Sequence, residues 1–289
     1  MSQSSHWTQH AAQWARVGPP LRPVAQDVAL FRRALALDDD AAPVALLLGA
    51  TSELVDLPWP AATRLFAADR SLPMLLAQRP QWRFAGQWLV ALNADWRALP
   101  LAAASVDGIV GDGALTTLPD MTQVARVGAE CARVLRPGGL LLFSSFGPDT
   151  LLELREAWAA VDTAPRVSLF ADMPDLAAAL QHARFSEPVL DADRLVRHYP
   201  DVRALMDELR AIGARNAAAT RARGLTGPRT LARMIGHYET RRSPQGIPAT
   251  WEVFYGAAFA GGAAPPGAIA EQLVPVSSLR RRPRAGVSP

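Results

Sequence analysis

Short, largely apolar runs alternate with amphipathic stretches through the first half of the chain, a pattern that predicts strands separated by helices. Runs near residues 44–48 (VALLL), 64–68 (RLFAA), 88–92 (WLVAL) and 106–110 (VDGIV) have strand length and carry no helical period. An amphipathic helix is predicted from about Pro23 to Leu37. A second, near 120–135, leads into the turn Arg136-Pro137-Gly138-Gly139 and a buried strand, LLLFSS, at 140–145. Apolar strands alternating with helices specify a parallel sheet covered by helices on both faces.

The second half has a different rhythm. Helical periodicity dominates 149–161 and 174–183, and EPVLDADRLVRHYP has the length of one long strand. Residues 201–240 are predicted helical, and ATWEVFYGAAF at 249–259 alternates as a final strand. A helical block of about 200–248 placed before the last strand is an insertion within one domain of residues 1–260. Beyond it, residues 261–289 are rich in Gly, Ala, Pro and Arg and are expected to be a flexible tail. No internal repeat is present.

Composition narrows the class. With 289 residues and 49% hydrophobic content the chain can bury a substantial core, which excludes a disordered protein. The start, MSQSSHWTQHAAQWARVG, has no basic beginning followed by an apolar run as a secretion signal would, and no later window holds eighteen uninterrupted apolar residues. A soluble, cytoplasmic protein with neither membrane nor nucleic-acid partner is expected. The single cysteine, Cys131, excludes an internal disulfide framework and a thiolate metal site, and its place in a predicted helix makes it a core residue. All 30 basic residues are arginine, so lysine Schiff-base chemistry is excluded. Their distribution is uneven. Residues 1–193 hold 15 Arg against 21 acids, residues 194–242 hold 11 against four, and the remainder holds four against two. The middle block is thus either a surface for an acidic partner or a solvated helical face.

In an open parallel sheet, ligands bind beyond the carboxyl ends of the strands, where strand order reverses. The loop Gly49-Ala50-Thr51-Ser52-Glu53 lies at that place. It lacks the GxGxxG spacing that brings backbone N–H groups onto a pyrophosphate, which disfavours NAD and FAD. A phosphate-free ligand, an adenosine with a methionine tail, needs only one close passage beside a glycine. Asp69, followed by Arg70 at the end of the second strand, is spaced to accept hydrogen bonds from two ribose hydroxyls; capping the helix from Ser71 onward is the alternative. Asp95 could accept from an adenine amino group while Trp96 packs on the ring. Gly111, Asp112 and Gly113, after the fourth strand, would let a sulfonium and its acceptor come close.

The order of these features, with RVLRPGGLLLFSSFG at 133–147, resembles the class I S-adenosylmethionine-dependent methyltransferases. The glycine-poor LLLGATSEL and the stretch GDGALTTLP are similar to a subgroup whose first loop reads like Gly-Val-Thr-Pro-Glu. The resemblance implies a Rossmann-like, seven-stranded, mostly parallel sheet with an antiparallel last strand, and S-adenosyl-L-methionine as cofactor. FGPDTLLELREAWAAVDTAPRVSLFADMPDLAAAL, YPDVRALMDELRAIGARNA, RGLTG and ATWEVFYGAAF resemble the malonyl-carrier-protein O-methyltransferases of biotin synthesis; the likeness spans roughly 133–259. More weakly, the same segments resemble mitochondrial complex I assembly factors of this fold, one of which is an arginine hydroxylase.

The resemblance implies methylation of the free carboxylate of a malonyl thioester on acyl carrier protein. A different small acid or nucleophile, or a non-catalytic assembly role, is the alternative. A carboxylate is already ionised at neutral pH, so no general base is required, and the five histidines are scattered. An arginine fork is the natural carboxylate holder. Family members usually carry an Arg-Phe pair where this chain reads RVSLF, with Leu169 before Phe170, so the candidates are Arg166 and Arg155. The positive block would receive the acidic carrier. Tyr199 with Trp7, His10 and Trp14 could form a lid, or pack in the core.

Overall fold

All five residues of β1, Val44–Leu48, are buried, because the strand sits inside the sheet with helices over both faces. The computed structural model describes residues 42–49, 59, 62–78, 89–111, 113–118, 120–211 and 226–261. Strands β2 (Arg64–Asp69), β3 (Leu89–Asn93), β4 (Val106–Gly111), β5 (Leu135–Phe146), β6 (Phe185–Tyr199) and β7 (Ile247–Ala260) complete one sheet in the order β3-β2-β1-β4-β5-β7-β6. The first five strands run parallel, and β7 is antiparallel to both β5 and β6. This is the seven-stranded, mostly parallel arrangement expected from the sequence. The helix expected at Pro23–Leu37, the residues Trp7, His10 and Trp14, and the tail beyond Gly261 lie outside the described residues.

The helices follow from capping and apolar spacing. Helix α1 (Leu72–Gln78) follows β2. Helix α2 (Met121–Val134) is capped by the Asp120 carboxylate, which accepts from the Gln123 N–H, and buries Val124, Val127, Cys131 and Val134 along one stripe. Helix α3 (Leu152–Ala159) follows β5, and α4 (Met173–His182) starts at Asp172, whose side chain accepts from Asp175 N–H. Helices α5 (Val202–Ala211) and α6 (Pro228–Glu239) occupy the expected insertion between β6 and β7.

Two apolar clusters result. One joins α2 and α4 to β1, β4 and β5 through Leu46, Ile109, Leu141, Val127 and Leu176. The other gathers α3, α5 and α6 around the start of β7 through Trp158, Leu205, Met234 and Trp251, and it includes Phe146 at the end of β5. Phe146 stacks edge-on against Phe170 at 5.6 Å and tilts against Trp251 at 5.4 Å. The buried Glu153 carboxylate of α3 accepts from Thr250 N–H at 2.9 Å and Oγ1 at 2.5 Å, tying the helix to β7.

The sequence reading changes at one place. Arg136–Gly139, expected as a turn before the fifth strand, is absorbed into β5 as a bulge: register with β4 moves from Val106↔Leu135 to Gly108↔Leu140. The Arg136 guanidinium reaches Asp107 Oδ1 at 2.5 Å, and Asp107 Oδ2 accepts Val44 N–H at 2.8 Å, which fixes the starts of three neighbouring strands. Of the lid and core readings weighed for Tyr199, core packing is the one found: it is buried in the second cluster, where burial pushes its hydroxyl up to about 12.

Gly256 of β7 faces Phe143 of β5, and a Cβ there would lie 2.1 Å from Phe143 Cζ. Gly256→Ala is expected to lower stability by about 1–3 kcal/mol, measured by urea unfolding, because the added methyl would overlap the Phe143 ring and force it to shift.

Candidate methyl-donor site

The site begins where β1 parts its neighbours. β2 lies on one side of β1 and β4 on the other, so strand order reverses at β1, the position where open parallel sheets bind ligands beyond their carboxyl ends. Gly49 closes β1 with φ +89°, donates its N–H to Ala68 O at 2.9 Å, and a Cβ built there would meet nothing within 4 Å among the described residues. A side chain would both strain this bend and fill that space.

Asp69 ends β2, half-buried. Its Oδ1 accepts Ser71 N–H at 2.7 Å, while Ser71 Oγ accepts Met74 N–H at 3.4 Å. The serine therefore caps α1, and the aspartate orients the bend leading into it. Arg70 beside it is half-buried. On the β4 side, Gly113 takes φ +61°, opens a 3₁₀ turn over Ala114–Thr117 and donates its N–H to Ser144 Oγ at 2.8 Å. Ser144 was not singled out in the sequence. The available signal was a pair of hydroxyls, Ser144-Ser145, in an otherwise apolar buried strand. Ala50, Thr51 and Asp112 lie outside the described residues.

At the β3 end, Asp95 and Trp96 both engage protein partners. Both oxygens of Asp95 are taken by the Arg97 guanidinium, Oδ1 by Nε at 2.8 Å and Oδ2 by Nη2, and Oδ1 also accepts Arg97 N–H at 3.0 Å. Asp95 is thus held in an ion pair at the protein surface. Trp96 is only 5% exposed, inside the first core cluster, and its indole N–H donates to Ala68 O at 2.8 Å. The ring therefore offers no open face to a ligand; its bond instead braces the end of β2.

The arginine candidates differ in how far they are engaged. Arg166 gives Nε to Asp162 at 2.7 Å, Nη2 to the same oxygen and Nη1 to Thr226 Oγ1 at 3.1 Å, and lies 5.3 Å over Trp158. Its fork already has a carboxylate. Arg155 of α3 gives Nη2 to Pro148 O, in the loop leaving β5, and is half-buried. Cys131 is buried and its thiol is pushed up to about 12 by that burial, which keeps it protonated. Near it an apolar void of about 20 Å³ separates α2 and α4 from the sheet, room for about one water. Among the described residues no group of three or more His, Cys, Asp or Glu is placed to hold a metal ion, and no helix is long and apolar enough to cross a membrane.

Residues 46–143, from β1 into β5, match the family described as a methyltransferase domain. Malonyl-(acyl-carrier protein) O-methyltransferase of Xylella fastidiosa (strain M23) is 43% identical over 205 residues, covering 70% of this chain and 67% of the relative. The protein of the same name from Gallionella capsiferriformans (strain ES-2) is 40% identical over 203 residues, covering 68% and 69%. The chain belongs to the malonyl-(acyl-carrier protein) O-methyltransferase family. Each match spans about two thirds of the relative's length. Among solved structures, YcgJ of Bacillus subtilis superposes with a TM-score of 0.52 at 14% identity, covering 78% of this chain and 97% of that one, which speaks for the shared fold.

Membership makes this chain an S-adenosylmethionine-dependent O-methyltransferase. The rim fits such a donor. Among the described residues nothing fills the space beside Gly49, and the half-buried Asp69 stands one strand away.

The Arg97 guanidinium holds Asp95 down to about 2, from 3.8. The pair stabilises the fold fully above pH 3.8 and ceases to do so as pH falls through about 2. More than a third of each side chain is in solvent, so the contribution is expected to stay below about 1 kcal/mol. Urea unfolding of wild type and Asp95→Asn is expected to differ by that amount at neutral pH and to converge between pH 4 and 2.

Proposed function

We propose that this chain transfers a methyl group from S-adenosylmethionine to the free carboxylate of a malonyl thioester carried on acyl carrier protein, a step of biotin synthesis. The observation that carries the reading is identity of 40–43% over about 200 residues to two relatives bearing that name. The reading includes a cytoplasmic location, no nucleic-acid partner and one catalytic domain over residues 1–260 with a tail beyond it.

When bound, the donor supplies an electrophilic methyl on a sulfonium and departs as a neutral thioether. The carboxylate oxygen forms the new O–C bond as the S–C bond breaks, and no proton has to move. The protein's work is to position the reactants and exclude water. Gly49 would leave room for the donor, Asp69 would accept from the ribose hydroxyls, and Gly113, whose turn is held by Ser144, would let the sulfonium and its acceptor come close. Ala50, Thr51, Arg70 and Asp112 belong to the same proposed site by sequence position.

Arg155 is favoured over Arg166 as the carboxylate holder. Of its donors only Nη2 has a partner among the described residues, whereas Arg166 is already paired with Asp162. Esterification removes the charge that Arg155 would hold, which helps release the product. Malonyl carrier protein incubated with donor and enzyme is expected to gain the mass of one methyl group. Arg155→Ala is expected to abolish that gain while calorimetric binding of S-adenosylhomocysteine persists; an unmodified carrier with wild-type enzyme would refute the substrate assignment. Asp69→Ala is expected to weaken S-adenosylhomocysteine binding about 10- to 100-fold, the worth of hydrogen bonds to a charged acceptor.

A further inference from the structure

The insertion between β6 and β7 carries more positive charge than its own acids can neutralise. Residues 194–242 contain four acids, and each is engaged. Asp201 accepts Ala204 N–H at 2.8 Å, Asp207 pairs with Arg210, Glu208 with Arg197, and Glu239 with Arg242 at 2.6 Å. Arg194 and Arg241 find acids outside the block, Asp149 at 3.1 Å and Glu156. Arg203 on α5 and Arg229 and Arg233 on α6 are exposed and have no acidic partner among the described residues. The segment 212–225, which links the two helices, adds Arg215, Arg221 and Arg223 and no acid.

The spacing on α6 makes a surface of this excess. Leu231, Met234, Ile235 and Tyr238 point into the second core cluster, and Tyr238 Oη donates to Pro248 O at 2.8 Å, so the helix is anchored on β7. Arg229, Arg233 and His237 follow at i, i+4 and i+8 on the exposed side, about 6 Å apart along the axis. This row stands on a rigid helix in the cluster that also contains Phe146, at the end of β5 beside the crevice.

We infer that the exposed face of α6, with Arg229 and Arg233 at its centre and Arg203 contributing from α5, is the docking surface for the acidic carrier protein. The inference rests on the malonyl-carrier reading and adds where the protein half of that substrate binds. Unpaired guanidinium groups on a fixed helix suit carboxylates on a partner helix, give strong salt dependence and speed encounter. The carrier would then rest on the insertion and extend its thioester arm toward the β5 end of the rim.

The test uses the full chain with Arg229→Glu/Arg233→Glu and, as a milder form, Arg229→Gln/Arg233→Gln. Both pairs are solvent-exposed, and thermal melts at wild-type temperature verify folding. KM for malonyl carrier protein is expected to rise about tenfold or more in the charge reversal and less in the neutral pair, with a flatter salt dependence. kcat/KM for malonyl-CoA, which has no carrier surface, is expected to stay unchanged. Equal KM for the carrier in all three proteins overturns the docking face, and so does an equal loss on malonyl-CoA. Fluorescence anisotropy of labelled malonyl carrier protein separates this from the functional reading. If wild type methylates neither thioester, the reaction assignment fails, while the difference in carrier binding between wild type and charge reversal still decides the surface.

Discussion

Everything about this molecule's chemistry depends on β1 being hydrogen-bonded along both edges by parallel strands that come from different parts of the chain. β2 follows it in sequence and β4 arrives after β3 has been laid beyond β2, so the chain must reverse its direction of winding at β1. In open parallel sheets such a reversal is where connections part to opposite faces and a ligand crevice forms. Asp107 reinforces this seam from the opposite end by accepting from Val44 while Arg136 holds its other oxygen.

What could be read from the sequence was set by periodicity. β1 to β4 fall within a residue of the expected runs, because buried parallel strands are nearly pure apolar segments and leave little choice of phase. The bulge at Arg136–Gly139 was less legible: Pro-Gly-Gly signals a turn, and only pairing with β4 decides whether that turn ends a strand or is taken into one. Fold class followed from the order of elements.

The site was legible in its glycines and less so in its polar side chains. Gly49 and Gly113 both adopt positive φ at the ends of their strands, a property written into the residue type. For Asp95 the sequence offered a carboxylate at the right strand end, yet the arginine two positions later reaches back and closes on it. Trp96 was placed correctly along the chain but its indole turns inward to a carbonyl of β2. Neither outcome is encoded in spacing, since both depend on side-chain rotamers chosen after the backbone is in place.

The place of β7 has a consequence for how the chain is made. Among the described residues it is the last strand in sequence but lies between β5 and β6, so during synthesis β6 emerges before this partner strand exists. The nascent protein therefore carries a long unpaired edge until roughly residue 260 has left the ribosome, and its sheet closes in one late step that joins both flanks at once.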